Sequence, residues 1–375
     1  MTLAGGQGTR LGSSSPKGCY NIGLPSGKSL FQIQAERIIS LQKLSKCKSD
    51  VFVHWFVMTS GPTHNETVSF FEKHNFFQLD KRQIHFFQQG VLPCLTFDGK
   101  IMMETRSKVA VSPDGNGGIY AALTKTGTLQ KMKELNIKYV HMYSVDNCLV
   151  KPADPAFVGY CHKQNCDSGI KVVGKSSPQE PVGVVCRYKN KYSIVEYSEI
   201  EKQVAEKVDN QGNIIFKDAN IANHIFTVDF LTKIDETALT YHVAKKKIPC
   251  VDMKDGSAIK PSSPNGIKLE LFVFDVLPTL NNLAVLQVLR QDEFSPLKNA
   301  PGAGEDCPET SRRDVMNLCK KHLEIAGAQV KPAADGTIVC EISPCLSYSG
   351  ENLEKAKGKI IQCPAIISST DFFDK

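Results

Sequence analysis

The sequence predicts an α/β protein: a mixed, mainly parallel sheet flanked by helices, followed by a small C-terminal β-containing domain. Three observations predict it. Apolar, strand-like runs alternate with helix-period segments through the first ~280 residues, as expected when βα units feed one sheet. A glycine-dense loop, Gly5-Gly6-Gln7-Gly8-Thr9-Arg10-Leu11-Gly12, opens the chain, and such loops normally follow a strand of an α/β sheet. After Asn299 the run APGAGEDCPET, rich in Gly, Pro and acid, breaks the alternation and reads as a joint. The expected division is a main domain over 1–298 and a small domain over 299–375.

The elements follow in order. Only Met1 to Ala4 precede Gly5, so the strand that should feed the loop is expected to be missing. Ser29-Leu30-Phe31-Gln32 has the S-x-x-Q form of a capping box. It opens an amphipathic helix with Phe31, Ala35, Ile38 and Leu41 on one face. Val51 to Met58, VFVHWFVM, is a continuous apolar run typical of a strand buried on both faces. A helix is predicted around Glu66 to His74 and a short strand over Ile84 to Phe87. Tyr120 to Leu135 has helical character, and Lys138 to Val145 reads as a strand. From Val182 to Ile200 shorter strands with turns suggest an antiparallel extension. Beyond the joint the pattern predicts one helix, Ser311 to Ala326, and short strands near Ile338 to Ser343 and Lys359 to Ile367.

Composition narrows the function classes. No apolar run reaches the roughly 18 residues a membrane helix needs, and no charged n-region with an apolar stretch marks a signal peptide. The thirteen cysteines are scattered without a C-x-x-C pair. Cys161/Cys166 and Cys340/Cys345 are the closest spacings, so reduced thiols in a cytoplasmic chain are expected. The Asn65-Glu66-Thr67 sequon carries little meaning without a secretory signal. The net charge of +6 is mild, and Lys245-Lys246-Lys247 is too short for a nucleic-acid tail. Small polyanions are the expected partners, with neither nucleic acid nor membrane.

Several stretches could carry chemistry. In the opening loop, glycine lets backbone N–H groups approach a phosphate, while Arg10 and Lys17 add a guanidinium fork and a point charge. A dinucleotide fingerprint, G-x-G-x-x-G, fails because Leu11 fills its third glycine slot. Gly23 to Ser29 falls one residue short of a P-loop and reads as an ordinary turn. Pro113-Asp114-Gly115-Asn116-Gly117-Gly118 is a tight turn at a helix start, with a binding role left open. Asp146, in Val145-Asp146-Asn147, ends an apolar strand, where a carboxylate could hold Mg²⁺ beside phosphates or simply terminate the strand. Glu196 to Glu199, Asn220 to His224 and Lys298 are less informative alone; a surface or structural reading is the default for each.

Together these stretches resemble the eukaryotic UDP-N-acetylhexosamine pyrophosphorylases. The opening L-A-G-G-Q-G-T-R-L-G-x-x-x-P-K-G is similar to that family's nucleotide signature. FQIQAER, FFQQG, SPDGNGG, VDN, EPVGVV, VEYSEI, NIANH, PNGIK, DEFSPLKNA and CEISP then follow in the family's order over nearly the whole chain. The resemblance implies a Rossmann-like nucleotidyltransferase domain of glycosyltransferase-A-like type. The implied activity joins UTP to N-acetylglucosamine 1-phosphate, or to its galactosamine isomer, with Mg²⁺ (or Mn²⁺) as cofactor, in a monomer or homodimer. By the same resemblance Leu3, Ala4, Gly5 and Gly6 line the uridine and ribose, and Gln89 and Gly115 read the uracil edge. Arg10 and Lys17 meet the triphosphate, and Lys268 and Lys298 contact phosphates. Asp146 holds the metal. Asn116 contacts the nucleotide-sugar, while Gly183, Glu196 and Asn220 hold the sugar and its N-acetyl group.

Two rival readings accompany this one. A UDP-glucose-type pyrophosphorylase is disfavoured, because those enzymes usually carry N-G-G where this chain has A-G-G. A truncated, inactive paralogue that only binds nucleotide-sugar is the other. It draws on the apolar strand and helical region that the resemblance implies upstream of the loop. Losing about five buried apolar side chains at roughly 1.5–3 kcal/mol each forfeits about 10 kcal/mol, comparable to a domain's net stability. On that argument the chain is a fragment, an alternative start or a mistaken gene model, expected to fold poorly and act weakly. The misplaced glycine weighs against a Rossmann oxidoreductase.

Overall fold

The computed structural model describes residues 1–45 and 51–374. Its principal elements are β1 (Thr2–Leu3), α1 (Leu30–Leu44), β2 (Trp55–Thr59), α2 (Gly61–Lys73), β3 (Ile84–Gln88), α3 (Ile119–Lys125), α4 (Thr128–Glu134), β4 (Tyr139–Ser144), α5 (Pro155–Lys163), β5 (Ser168–Gly174), β6 (Val184–Tyr188), β7 (Lys191–Val195), β8 (Asp218–Thr227), β9 (Leu283–Gln287) and α6 (Pro308–Ile325). The nine strands form one mixed sheet. Its path is β7-β6-β8-β4-β1-β2-β3, and β5 pairs with both β8 and β9. The run β3-β2-β1-β4 is parallel. β8 lies antiparallel to β4, and the β6–β7 hairpin continues the sheet antiparallel, as the sequence predicts.

The two-residue strand β1 corrects the expectation that the first strand is missing. Thr2 pairs with Val57 on one side and Tyr143 on the other, and Leu3 with Met58 and Ser144. The Met1 amino group donates to the His141 carbonyl at 2.6 Å, and the Trp55 indole N–H donates to the Thr2 hydroxyl at 2.6 Å. With neighbours on both flanks, these two residues join β2 to β4 at the carboxyl end of the sheet. The strand that feeds the loop is thus present but short: it pairs only along Val57–Met58 and Tyr143–Ser144, and a cavity of about 190 Å³ lined by Met1, Trp55, Phe56, Tyr139 and His141 lies between β2 and β4 before it.

Packing on the sheet follows the period of two. Trp55 and Val57 face a cluster with Phe31, Ala35, Ile38 and Phe71, while Phe56 and Met58 face Leu3, Ile119, Leu123, Met142 and Phe226. A third cluster joins Leu11, Leu24, Leu30, Ile33, Cys148 and Leu297 to Val315, Leu318, Cys340, Ile342 and Ile367. Residues beyond 299 therefore pack directly on the loops at the carboxyl end of the sheet.

Element boundaries differ from the sequence reading where side chains or partners intervene. The strand predicted from Val51 starts only at Trp55, because β3 begins opposite it. Val53 instead satisfies its backbone through the Gln42 and Gln83 side chains. α2 begins at Gly61, five residues early, since Pro62 is tolerated in a first turn. The helix predicted over 120–135 is two helices, broken at Gly127 with φ 73°. α6 starts at Pro308 rather than Ser311. The capping box of α1 is half made: the Ser29 hydroxyl accepts from the Gln32 backbone N–H, but the Gln32 amide turns forward to Glu36. Residues 359–367 split at Pro364 into Ile360–Gln362 and Ala365–Ile367. Gly23 to Ser29 is a turn, as expected, with Ser26 bound to Glu341.

Two buried histidines make stability depend on pH. Burial pushes His141 and His224 down to about 3 from the ordinary value of 6.5. Both are neutral when folded, so between about 3 and 6.5 the unfolded chain binds more protons. Their contribution is complete above the unfolded value and is lost as pH falls through this window. Urea titration near pH 7 and near pH 5 should show a loss of about 2 kcal/mol per histidine at the lower pH. The loss should shrink in His224→Phe; an identical loss in that variant contradicts the assignment.

Candidate active site

Four parallel strands end on the same side of the sheet, and the residues after them build one cleft. The chain turns at Gly5 and Gly6 after β1, reaches Ser60 after β2, Gln89 after β3 and Asp146 after β4. From β1 the order runs outward through β2 and β3, then returns to place β4 on the other side of β1. The crevice at such a switch point is where open sheets hold ligands. A cleft of about 560 Å³ lies there, lined by Leu3, Gly5, Gly6, Arg10, Lys17, Gln89, Gly115, Asn116, Asp146 and Lys268.

The glycine loop is tied at both ends. The Ser60 hydroxyl donates to the Gly5 carbonyl at 2.7 Å, and the Lys17 N–H donates to the Gly6 carbonyl at 3.3 Å. Between these ties the N–H groups of Gly5, Gly6 and Gln7 have no hydrogen-bond partner among the described residues. Successive free N–H groups make a concavity suited to an anion. Arg10 follows on an exposed turn, Thr9–Leu11.

Lys17 and Asp146 meet at the base of the cleft. The Lys17 ammonium donates to Asp146 Oδ2 at 2.8 Å and to the Leu297 carbonyl at 3.2 Å. The Ser144 hydroxyl donates to Asp146 Oδ1 at 2.8 Å. Burial alone would raise the Asp146 pKa, but the charge and hydrogen bond of Lys17, the Ser144 hydroxyl and the charge of Lys298 hold it below the ordinary carboxylate value. Asp146 is thus an anion in a largely covered site. Among the described residues no three His, Cys, Asp or Glu side chains gather as a metal cage. One cleft-facing carboxylate still fits Mg²⁺, which is commonly held by one or two carboxylates together with substrate phosphates.

The opposite wall is the turn at 113–118. Gly115 has φ 87° and ψ 173°, a conformation essentially confined to glycine. A Cβ there would lie 2.3 Å from the Leu271 carbonyl oxygen. The Asn116 side-chain oxygen accepts from the Val273 N–H at 2.9 Å, so its amide nitrogen is the end left for a ligand. Lys268 sits on a strand, Gly266–Glu270, paired with His242–Lys246.

The remaining candidates lie elsewhere. Ala4 is beneath the loop, 1% exposed, with its N–H on the Met58 carbonyl. Gly183, Glu196 and Asn220 form a separate group. The Asn220 N–H donates to the Gly183 carbonyl at 2.8 Å, and a Cβ at Gly183 would come within 2.8 Å of Glu196 Oε1. Burial and the neighbouring Glu199 raise the Glu196 pKa, against the pull of His242 and Lys298. Lys298 links the two groups electrostatically, since its charge acts on both Asp146 and Glu196. Its ammonium lies 3.9 Å from Asp306. Sequence reasoning missed Ser60, Ser144, Glu270 and Phe272, which also line the cleft. The rule that residues just past parallel strands face the crevice would have found Ser60.

Comparisons with known proteins bear on the family and the fold. The family described as UTP–glucose-1-phosphate uridylyltransferase matches residues 1–303. A UDP-N-acetylglucosamine pyrophosphorylase of Saccharomyces cerevisiae is 48% identical over 373 residues, covering 98% of this chain and 77% of the yeast protein. The crystal structure of a UDP-N-acetylglucosamine pyrophosphorylase from Trypanosoma brucei superposes with a TM-score of 0.82 at 33% identity, covering 99% of this chain and 78% of that one. A candidate enzyme of the same description from Entamoeba histolytica gives a TM-score of 0.91 at 39% identity, covering 98% of this chain and 92% of the other.

The wall at Gly115 is directly testable. Gly115→Ala forces a side chain against the Leu271 carbonyl in a conformation alanine avoids, and should lower unfolding free energy by about 2 kcal/mol or more. An unchanged urea midpoint contradicts the close approach.

Proposed function

The chain belongs to the UTP–glucose-1-phosphate uridylyltransferase family, and from that premise we propose how its own residues carry the transfer. It is a nucleotidyltransferase that forms UDP-N-acetylglucosamine and pyrophosphate from UTP and N-acetylglucosamine 1-phosphate. In the proposed mechanism the sugar-phosphate oxygen attacks the α-phosphorus of UTP in line, and pyrophosphate leaves. The sugar phosphate is already an anionic nucleophile at neutral pH, so no side chain has to remove a proton. The task left to the protein is to bring two repelling polyanions together and to balance charge as it moves to the leaving group.

The observation that carries this reading is the Lys17–Asp146 pair at 2.8 Å beneath a loop of free N–H groups. Gly5 and Gly6 line the uridine and ribose, Arg10 receives the nucleotide phosphates, and Lys17 places its charge at the transferring phosphoryl group. Lys268 adds charge from the opposite wall, and Lys298 faces the incoming sugar phosphate. Leu3 packs against the nucleoside, while Gln89 and Gly115 meet the base edge. Asn116 offers its amide nitrogen to the nucleotide-sugar. Gly183, Glu196 and Asn220 hold the sugar from the second group of residues. Asp146 holds Mg²⁺, which when bound neutralises phosphate charge and polarises the phosphoryl oxygens. The scattered cysteines, without C-x-x-C pairs, lead us to place the reaction in the cytoplasm.

Two measurements test this reading. Pyrophosphate release with UTP, Mg²⁺ and each of three sugar phosphates should be fastest with N-acetylglucosamine 1-phosphate. N-acetylgalactosamine 1-phosphate should come second and glucose 1-phosphate last. Release with glucose 1-phosphate above both amino sugars contradicts the sugar assignment, and no release with any of them favours a binding protein. Lys17→Ala should lower kcat by roughly 10²–10³-fold, the scale for one preorganised electrostatic donor. An unchanged kcat removes Lys17 from the mechanism.

A further inference from the structure

The side-chain amide of Gln89 is locked in one orientation. An amide has a donor end, Nε2, and an acceptor end, Oε1. On one side of Gln89 lie the Asp114 carboxylate, with Oδ1 at 3.1 Å from Nε2, and the Gly115 carbonyl at 3.0 Å. The carbonyl and the ionised carboxylate can only accept. Turning the amide over would set Oε1 against both and leave them without their donor, which is costly for covered polar groups. The amide hydrogens are therefore held inward and Oε1 points out. It is aimed at the glycine loop, where a Cβ on Gly5 would lie only 2.0 Å from it. Oε1 has no hydrogen-bond partner among the described residues, and Gln89 lines the nucleotide cleft.

Asp114 is built into this place. It is 8% exposed. Burial raises its pKa, against the opposing pull of the Gln89 amide and of backbone hydrogen bonds from Asp114 itself and from Gly90. A Cβ on Gly118 would lie 2.0 Å from Asp114 Oδ1, and one on Gly90 2.6 Å from Oδ2. The glycines of FFQQG and SPDGNGG thus leave room for a carboxylate behind the amide.

We propose that Asp114 is a positioning residue for base selection: it fixes the Gln89 amide with its oxygen toward the base, so that the pocket accepts a ring N–H and favours uracil over cytosine. The proposal rests on the reading that Gln89 faces the base. Uracil carries a hydrogen on ring nitrogen N3, whereas cytosine has a lone pair there. A fixed acceptor binds the first and repels the second. Sites built around one hydrogen bond can discriminate strongly, because the wrong partner leaves a covered polar atom unpaired.

The test compares kcat/KM for UTP and CTP in the full chain, in wild type, Asp114→Leu, Asp114→Asn, Gln89→Ala and the double variant Gln89→Ala/Asp114→Leu. Both nucleotides are measured on one preparation, so the folded fraction cancels from the ratio. Asp114→Leu keeps the branched shape and removes both accepting oxygens; it should lower the UTP:CTP ratio roughly tenfold or more. Asp114→Asn retains one accepting oxygen and should restore most of the ratio. Gln89→Ala should also lower the ratio, and adding Asp114→Leu to it should change little further, the non-additivity of residues that act through one another. A ratio lowered by Gln89→Ala but unmoved by Asp114→Leu overturns the role of Asp114 and leaves the base contact standing. An Asp114→Leu effect of equal size with and without Gln89 also overturns it. A ratio unmoved by Gln89→Ala overturns the base contact itself, and the proposal with it.

Discussion

An ammonium and a carboxylate 2.8 Å apart hold three stretches of chain together at the base of the cleft. Lys17 comes from the turn after the glycine loop, Asp146 from the end of β4, and Leu297 from the segment that leads into the C-terminal residues. The backbone repeats the tie. The Leu297 N–H donates to the Asp146 carbonyl at 2.9 Å, and Asn147 bridges to Pro296. Two unit charges at this separation attract by about 6 kcal/mol at an effective dielectric of 20. Covering each ion costs several kcal/mol. The terms are of similar size, so the pair contributes little net stability, and its role is to fix where the two charges stand. A lysine and an aspartate of opposite charge can share one covered site on these terms.

A second, fully buried ion cluster stands behind the first. Lys171 on β5 is 0% exposed and pairs with Asp154 and Glu293. Asp154 also caps α5 by accepting from the Ala156 N–H. Asn147 connects this cluster to the active site. Its amide donates to the Glu293 carbonyl at 2.7 Å, and its oxygen accepts from Ser295 and Leu149. Removing one member of such a cluster strands the others in a low-dielectric interior, at a cost of about 3–5 kcal/mol. The cluster fixes the path of both segments that meet at Lys17. The geometry needed for charge stabilisation is thereby set before any substrate arrives, which is what preorganisation requires.

Local pattern carried much of this in the sequence, and the rest depended on partners far away in the chain. The parallel sheet was legible because Val57 and its neighbours form a run buried on both faces, and Asp146 because it follows such a strand. β1 was not, since Thr2 and Leu3 are a strand only through Val57 and Tyr143, which lie far along the chain. The break at Gly127 was hidden because the helical periodicity continues across it. The grouping of Gly183, Glu196 and Asn220 came from resemblance alone; a bend in β8 beyond Asn220 and the approach of Glu196 to Gly183 have no local signature. Asp114 is the clearest case of hidden meaning. Within Pro113 to Gly118 it looks like a turn residue, and only the fold sets its carboxylate against Gln89.

The chemistry attributed to this cleft is positional: fixed positive groups and oriented N–H donors bring two anions together, and the polypeptide forms no bond to either. The reacting phosphorus records whether that is so. Transfer from UTP carrying a stereochemically defined sulfur at the α-phosphorus should proceed with inversion, as a single in-line displacement demands. Net retention would mean two successive displacements through a uridylylated side chain and would contradict the account.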